Sequence, residues 1–112
     1  MDYKVRYHDS GYAIVELSGD IDVSCSPDAR SVMLDCLDSV NPVVVDLSRV
    51  TYIDSSGVAS LVEAYQMAKK KHLRFGLISV SEEAMSVLQL GRLDKVFPIH
   101  TSLEERLRLE GY

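Results

Sequence analysis

Residues 54–57, Asp54-Ser55-Ser56-Gly57, place a carboxylate, two hydroxyls and a glycine between a hydrophobic run ending at Ile53 and a helical pattern beginning at Val58. Such a serine has three chemical uses. It can help to satisfy the free N–H groups of a helix start, attack a substrate if a base activates it, or accept a phosphoryl group. A nucleophile elbow requires glycine on both sides of the serine, as G-x-S-x-G. Around Ser55 only the trailing Gly57 is present, and Ser56 has neither. The three histidines are His8 in a first strand, His72 at a helix end and His100 near the C-terminus. Their spacing brings no base to Ser55. No catalytic residue is assigned, and the chain is not expected to be an enzyme.

The remaining reactive groups are equally sparse. Asp20, Asp22 and Asp54 are acids in turn-like segments, but their spacing does not match a calcium-binding loop. Cys25 and Cys36 form no CxxC pair and have no matching histidine spacing, so zinc is not indicated. Cys36 falls on an apolar helix face and reads as a small core residue. Neither phosphate-binding glycine motif, G-x-x-x-x-G-K-[ST] or G-x-G-x-x-G, occurs. No metal or cofactor is expected.

At 112 residues the chain has the length of one domain, and 46% hydrophobic with 26% charged residues argues against disorder. The net charge of −5 disfavours nucleic acid and anionic membrane surfaces, which need clustered cations. The basic run Lys69-Lys70-Lys71-His72 lies where a helix should end, and cations there complement the helix dipole. No stretch approaches the roughly 20 apolar residues of a membrane span. The polar start, MDYKVRYHDSGY, does not resemble a signal peptide. A reducing, cytoplasmic location is expected.

The elements that must position residues 54–57 can be read from periodicity. Tyr3–Tyr7 and Ala13–Leu17 alternate about Asp9-Ser10-Gly11, predicting a β-hairpin. Ser18-Gly19-Asp20-Ile21-Asp22 reads as an acidic loop. Ser26-Pro27-Asp28 predicts a helix with serine at the N-cap and proline at the first position. Ala29, Val32, Met33, Cys36, Leu37 and Val40 mark its buried face, and Asn41-Pro42 stops it. Val43-Val44-Val45 predicts a central strand covered on both sides.

After Asp54-Ser55-Ser56-Gly57, positions Val58, Leu61, Val62, Tyr65 and Ala68 predict a second helix. Leu73–Val80 predicts a further strand. Ser81-Glu82-Glu83 predicts a helix carrying Ala84, Met85, Leu88 and Leu90 inward. Val96–Ile99 predicts an edge strand, since Pro98 lacks a ladder donor. Ser102-Leu103-Glu104-Glu105 has the form of a capping box. The order ββαβαβαβα implies an α/β fold with a mixed sheet of about five strands and about four helices packed on it.

The run from Asp46 to Gly57, Asp-Leu-Ser-Arg-Val-Thr-Tyr-Ile-Asp-Ser-Ser-Gly, resembles the signature of the STAS domain family, the bacterial anti-anti-sigma factors. Gly19-Asp20-Ile21-Asp22 is similar to the acidic loop of that family, and Leu73-Arg74-Phe75-Gly76-Leu77 to its fourth strand. The resemblance covers nearly the whole chain and implies a single STAS domain over residues 1–112. It implies an anti-sigma factor antagonist without catalytic activity, switched off by phosphorylation of Ser55. The implied partners are an anti-sigma factor that is also a serine kinase, and a phosphatase. The implied partner surface comprises Asp20, Asp22, Asp54, Ser55, Ser56, Gly57, Val58 and Ala59.

Other STAS proteins are cytoplasmic accessory subunits of lipid-trafficking ABC transporters, held by a permease and its ATPase. Val58-Ala59-Ser60-Leu61 replaces the Gly-Leu-Gly-type continuation usual in sigma regulators, and the Gly91–Ile99 segment is similar in both groups. The transporter subunit is therefore the alternative expectation. A phosphate on Ser55 would carry about −1.5 to −2 charges and face the nearby acids. Each charge pair at roughly 6–8 Å contributes on the order of 2–4 kcal/mol before salt screening. The helix N-terminus offsets roughly 0.3–1 kcal/mol of this. The larger effect expected is on a partner that had accepted the unmodified surface.

Overall fold

The computed structural model describes residues 1–111. β1 (Asp2–Tyr7) and β2 (Ala13–Ile21) form the expected antiparallel hairpin, with Val5 opposite Val15. Gly11 at φ +97° closes the turn and donates to the His8 carbonyl at 2.9 Å. α1 (Ser26–Asp38) leads to β3 (Val43–Ile53), α2 (Ser55–Lys70) to β4 (Phe75–Ile78), and α3 (Glu82–Leu90) with a short 3₁₀ turn to β5 (Ile99–His100). The last helix is α4 (Leu103–Leu109). Strands lie in chain order, β1-β2-β3-β4-β5, antiparallel only at the hairpin. Right-handed crossovers between parallel neighbours in this order place every connecting helix on one face.

Alternation in β3 shows how the two faces are filled. Val43 and Val45 enter the main core with α1, α2 and α3, while Val44 enters a smaller cluster with Tyr12, Ile14, Ile78 and Leu103. All three valines are fully buried, which explains why the run is continuously apolar. The smaller cluster belongs to α4, the helix covering the rear of the sheet. Its Arg106 is buried, donates from Nη1 to the Phe75 carbonyl at 2.9 Å, and lies against Gly76. A Cβ at Gly76 would stand 1.8 Å from that nitrogen, so the guanidinium requires glycine there. Glu110, just beyond α4, accepts from the Tyr12 hydroxyl and, at 2.8 Å, from Arg74 Nη1. Burial, then the hydrogen bond to Glu110, pushes the Tyr12 hydroxyl up to about 12.

Several expectations shift by a few residues. Ser18–Ile21 is not a loop: β2 continues through it, paired with β3 as far as Ile21 opposite Ile53. Register irregularities at Glu16/Ser18 and Gly19/Asp20, with Gly19 at φ +81°, let a polar sequence stay in the sheet. β3 likewise runs the full length from Val43 to Ile53. Cys25, not Ser26, occupies the N-cap of α1 and makes no side-chain cap. The Asp22 carbonyl instead accepts from the Cys25 and Ser26 N–H groups at 3.1 and 2.8 Å.

Val40 lies outside α1 at φ +63° and is exposed. The Asn41 and Val40 N–H groups turn back to the Cys36 and Leu37 carbonyls, a left-handed termination that glycine usually supplies. β4 is shorter than Leu73–Val80 because Ser79 turns out of it at φ +51°. Leu90 is 87% exposed rather than inward. The last strand is Ile99–His100, not Val96–Ile99, since Leu93–Lys95 forms the 3₁₀ turn. In the capping box Ser102 accepts from the Glu105 N–H at 3.1 Å, but Glu105 reaches back to Thr101 rather than to Ser102.

Candidate functional site at the entry to α2

β2 and β3 end side by side with Ile21 opposite Ile53, so Asp22 leaves its strand next to Asp54, and Asp20 lies opposite Tyr52. The Asp54 N–H donates to the Ile21 carbonyl at 3.2 Å, tying the start of α2 to the neighbouring strand. Asp54 is the N-cap: its Oδ1 accepts from the Ser56 and Gly57 N–H groups at 2.9 and 3.0 Å. Capping of this kind stabilises a helix by about 1 kcal/mol. Here the cap is the aspartate, which leaves both serines free of that duty.

Ser55 is the first residue of α2 and is exposed. Among the described residues its hydroxyl makes no hydrogen bond. Gly57 is buried, and a Cβ there would meet Ile53 Cγ1 at 2.7 Å and the Ile21 carbonyl at 2.8 Å. Its role is close approach of helix to sheet, so it positions the surface rather than forming part of it. One turn on, the buried Ser60 hydroxyl is shared between the Ser26 and Ser56 carbonyls, both at 3.1 Å, which fastens α2 to the start of α1. Val58 is half-buried and Ala59 exposed on the outward side of the same turn.

The three acids share one arrangement. Asp20 Oδ1 accepts from Thr51 Oγ1 at 2.8 Å. Asp22 Oδ1 accepts from the Ser24 hydroxyl and from its N–H at 3.0 Å, and these bonds hold the Asp22 carboxyl below the usual carboxylate range. Asp22 and Asp54 thus spend Oδ1 on their own segments, and Asp20 spends it on the neighbouring strand β3. Among the described residues no hydrogen bond uses Oδ2 of any of them. Segments 20–28 and 52–60 contain no lysine or arginine. The result is an acidic strand-end and helix-start surface that carries an unbonded hydroxyl.

Of the eight residues expected at this surface, Asp54 to Ala59 form the cap and first turn of α2, with Gly57 turned inward, and Asp20 and Asp22 lie at the end of the neighbouring strand β2. Sequence reasoning missed Thr51, Ser24 and Ser60, which orient them. Asp22-Val23-Ser24 carries a legible signal, since an aspartate two residues before a backbone N–H commonly forms a local turn. Ser60 carried none, because its partner lies 34 residues away. Among the described residues no hydrogen bond joins a histidine to Ser55: His8, one residue past β1, bonds Ser10, and His100 Nδ1 is buried without a partner. Among the described residues no group of three or more His, Cys, Asp or Glu is placed to hold a metal ion. No helix among them is long and apolar enough to cross a membrane.

A mixed sheet in chain order, three crossover helices on one face, a fourth behind, and an aspartate-capped α2 that opens on a serine define a distinct class of small α/β domain. The family model described as STAS domain matches residues 3–106, and the chain belongs to that family. It is 26% identical over 95 residues to the anti-sigma F factor antagonist of Paenibacillus polymyxa, covering 83% of this chain and 81% of that protein. The crystal structure of an anti-sigma factor antagonist from Mycobacterium paratuberculosis superposes with a TM-score of 0.85 at 28% identity, over 96% of this chain and 92% of that one. The Bacillus cell fate determinant SpoIIAA, in its phosphorylated form, shares the fold at 16% identity with a TM-score of 0.73, over 96% and 97% of the two chains.

Proposed function

We propose that this protein is an anti-sigma factor antagonist whose binding is switched off by phosphorylation of Ser55. The observation that carries the reading is the exposed, unbonded Ser55 hydroxyl, fixed at a capped helix start on a surface of half-engaged carboxylates. The Paenibacillus and Mycobacterium relatives described above, at 26% and 28% identity, bear the anti-sigma factor antagonist name, which favours this role over a transporter subunit. The partner is an anti-sigma factor that is also a serine kinase. It docks on Asp20, Asp22, Asp54, Ser55, Ser56, Val58 and Ala59, with Gly57 setting the backbone beneath.

In the switch, the γ-phosphoryl of ATP passes to Ser55 Oγ, the hydroxyl proton goes to a base on the kinase, and ADP leaves. A phosphatase restores the hydroxyl with water, releasing inorganic phosphate. The chain supplies the acceptor and its position; the kinase and the phosphatase supply the chemistry. A dianion added where three carboxylates already stand changes the surface the partner must desolvate. The reading is tested by measuring affinity for the anti-sigma factor kinase of the same organism. Ser55→Ala is expected to bind and Ser55→Asp to bind at least tenfold more weakly. Equal affinities for the two variants would overturn the switch.

A further inference from the structure

A helix start attracts anions because its first N–H groups lack partners within the helix. At α2 all but one of those donors are already taken. The Asp54 N–H bonds the Ile21 carbonyl, the Ser56 and Gly57 N–H groups bond Asp54 Oδ1, and the Val58 N–H bonds the Asp54 carbonyl at 3.0 Å. Of these donors at the start of α2, the Ser55 N–H alone makes no hydrogen bond among the described residues. Gly57 lies close against Ile21 and Ile53, where a Cβ would stand under 3 Å from both, so the first turn is seated on the sheet. A phosphate on Ser55 therefore arrives at a helix end whose anion position is filled by the preceding residue.

We propose, resting on the reading of Ser55 as a phosphoacceptor, that Asp54 excludes the Ser55 phosphate from the N-terminus of α2 and keeps it in solvent. Two carboxylate roles meet in one residue. As a cap, Asp54 holds the helix start in the same geometry whether or not Ser55 is modified. As an anion, it occupies the two donors that a phosphate would otherwise capture. Without it the phosphate becomes the cap, drawn in against the Ser56 and Gly57 N–H groups. There it is less exposed to a phosphatase and presents less charge to a partner. Asp54 is thus a positioning residue of the switch, acting through the phosphate it displaces.

The test uses the full chain with phosphoserine incorporated at position 55 during synthesis, so no kinase is required. Failure of the partner reading would then leave this result interpretable. Backbone amide and ³¹P signals are followed by NMR across the second phosphate ionisation, near pH 6. In the otherwise unaltered chain the residue 55 amide is expected to follow the phosphate while those of Ser56 and Gly57 do not. Asp54→Asn keeps a capping oxygen without its charge, and should show the same pattern. In Asp54→Ala the Ser56 and Gly57 amides should follow the phosphate. Its pKa should then fall roughly 0.2–0.7 of a unit below that of the Asn variant. Ser56 and Gly57 tracking the phosphate in the unaltered chain would overturn the proposal, as would equal phosphate pKa values in the Asn and Ala variants. Should Asp54→Ala not fold, the unaltered chain decides alone.

Discussion

Two polar clusters stand at different places on this sheet, and they spend their charge differently. At the entry to α2, three aspartates each use Oδ1 internally and, among the described residues, leave Oδ2 and the Ser55 hydroxyl without a hydrogen bond. On the rear face, Arg106, Glu110, Tyr12 and Arg74 bond one another and the backbone where α4 meets the sheet. The first cluster is acidic throughout and the second is mixed in charge. Buried charge is tolerable only when paired and hydrogen-bonded. Exposed like charge is tolerable because water screens it. The rear cluster is built to hold a helix; the α2 entry is built to be met by something else.

Replacing Gly76 by Ala should have the largest effect, because the new Cβ would fall 1.8 Å from Arg106 Nη1 and displace a buried guanidinium from its carbonyl. A loss of about 3–5 kcal/mol in denaturant unfolding is expected. A loss under about 1 kcal/mol would show that the rear cluster is not a fastening.

The second effect is on pH. Tyr12 is raised to about 12 in the fold from an ordinary value near 10, so the stability its neutral form contributes is full below pH 10 and lost as pH rises through 12. That contribution is up to roughly 2–3 kcal/mol. Burial alone would raise Glu110, but the Tyr12 hydroxyl, Arg74 and Arg106 outweigh it and hold the carboxyl below its usual range. Its contribution is present above the unfolded carboxylate pKa of about 4.3 and lost as pH falls through the lowered folded value. Tyr12→Phe should flatten the alkaline limb of stability against pH, and an unchanged limb would assign it elsewhere.

Gly57→Ala should have the smallest effect on stability, roughly 1–3 kcal/mol from overpacking against Ile21 and Ile53. It should weaken partner binding more than it weakens the fold, since it moves the backbone beneath Ser55. Thermal unfolding and binding measured together separate the two. A Gly57→Ala chain that binds normally would sever the link between helix approach and the docking surface.

Much of the α2 entry was legible because its signals are local. Asp54, Ser55, Ser56 and Gly57 are consecutive, and helix capping operates over three residues. Which member caps was not legible. Ser, Asp and Gly are all competent N-caps, and the choice falls on Asp54 because its N–H is tied to Ile21 from another strand. The polar stretch Ser18–Ile21 reads as a loop because strand preference is a matter of neighbours, and its neighbour is β3. Leu90 reads as core by periodicity, yet α3 ends there and the side chain has nothing to pack on.

The sequence by itself determined the order of elements, the α/β class and the position of an exposable serine at a helix start, since periodicity and capping are properties of adjacent residues. It also carried the apolar run through Val43–Val45 that commits β3 to the centre. Only the tertiary structure decided that the β2 end carrying Asp20 and Asp22 runs beside the β3 end that leads to Asp54, because that proximity follows from strand register. Only it paired Arg106 with Gly76, 30 residues apart in the chain and in direct contact across α4 and β4. Contacts of that separation are chosen by which surfaces bury together, a property that no single stretch of the chain contains.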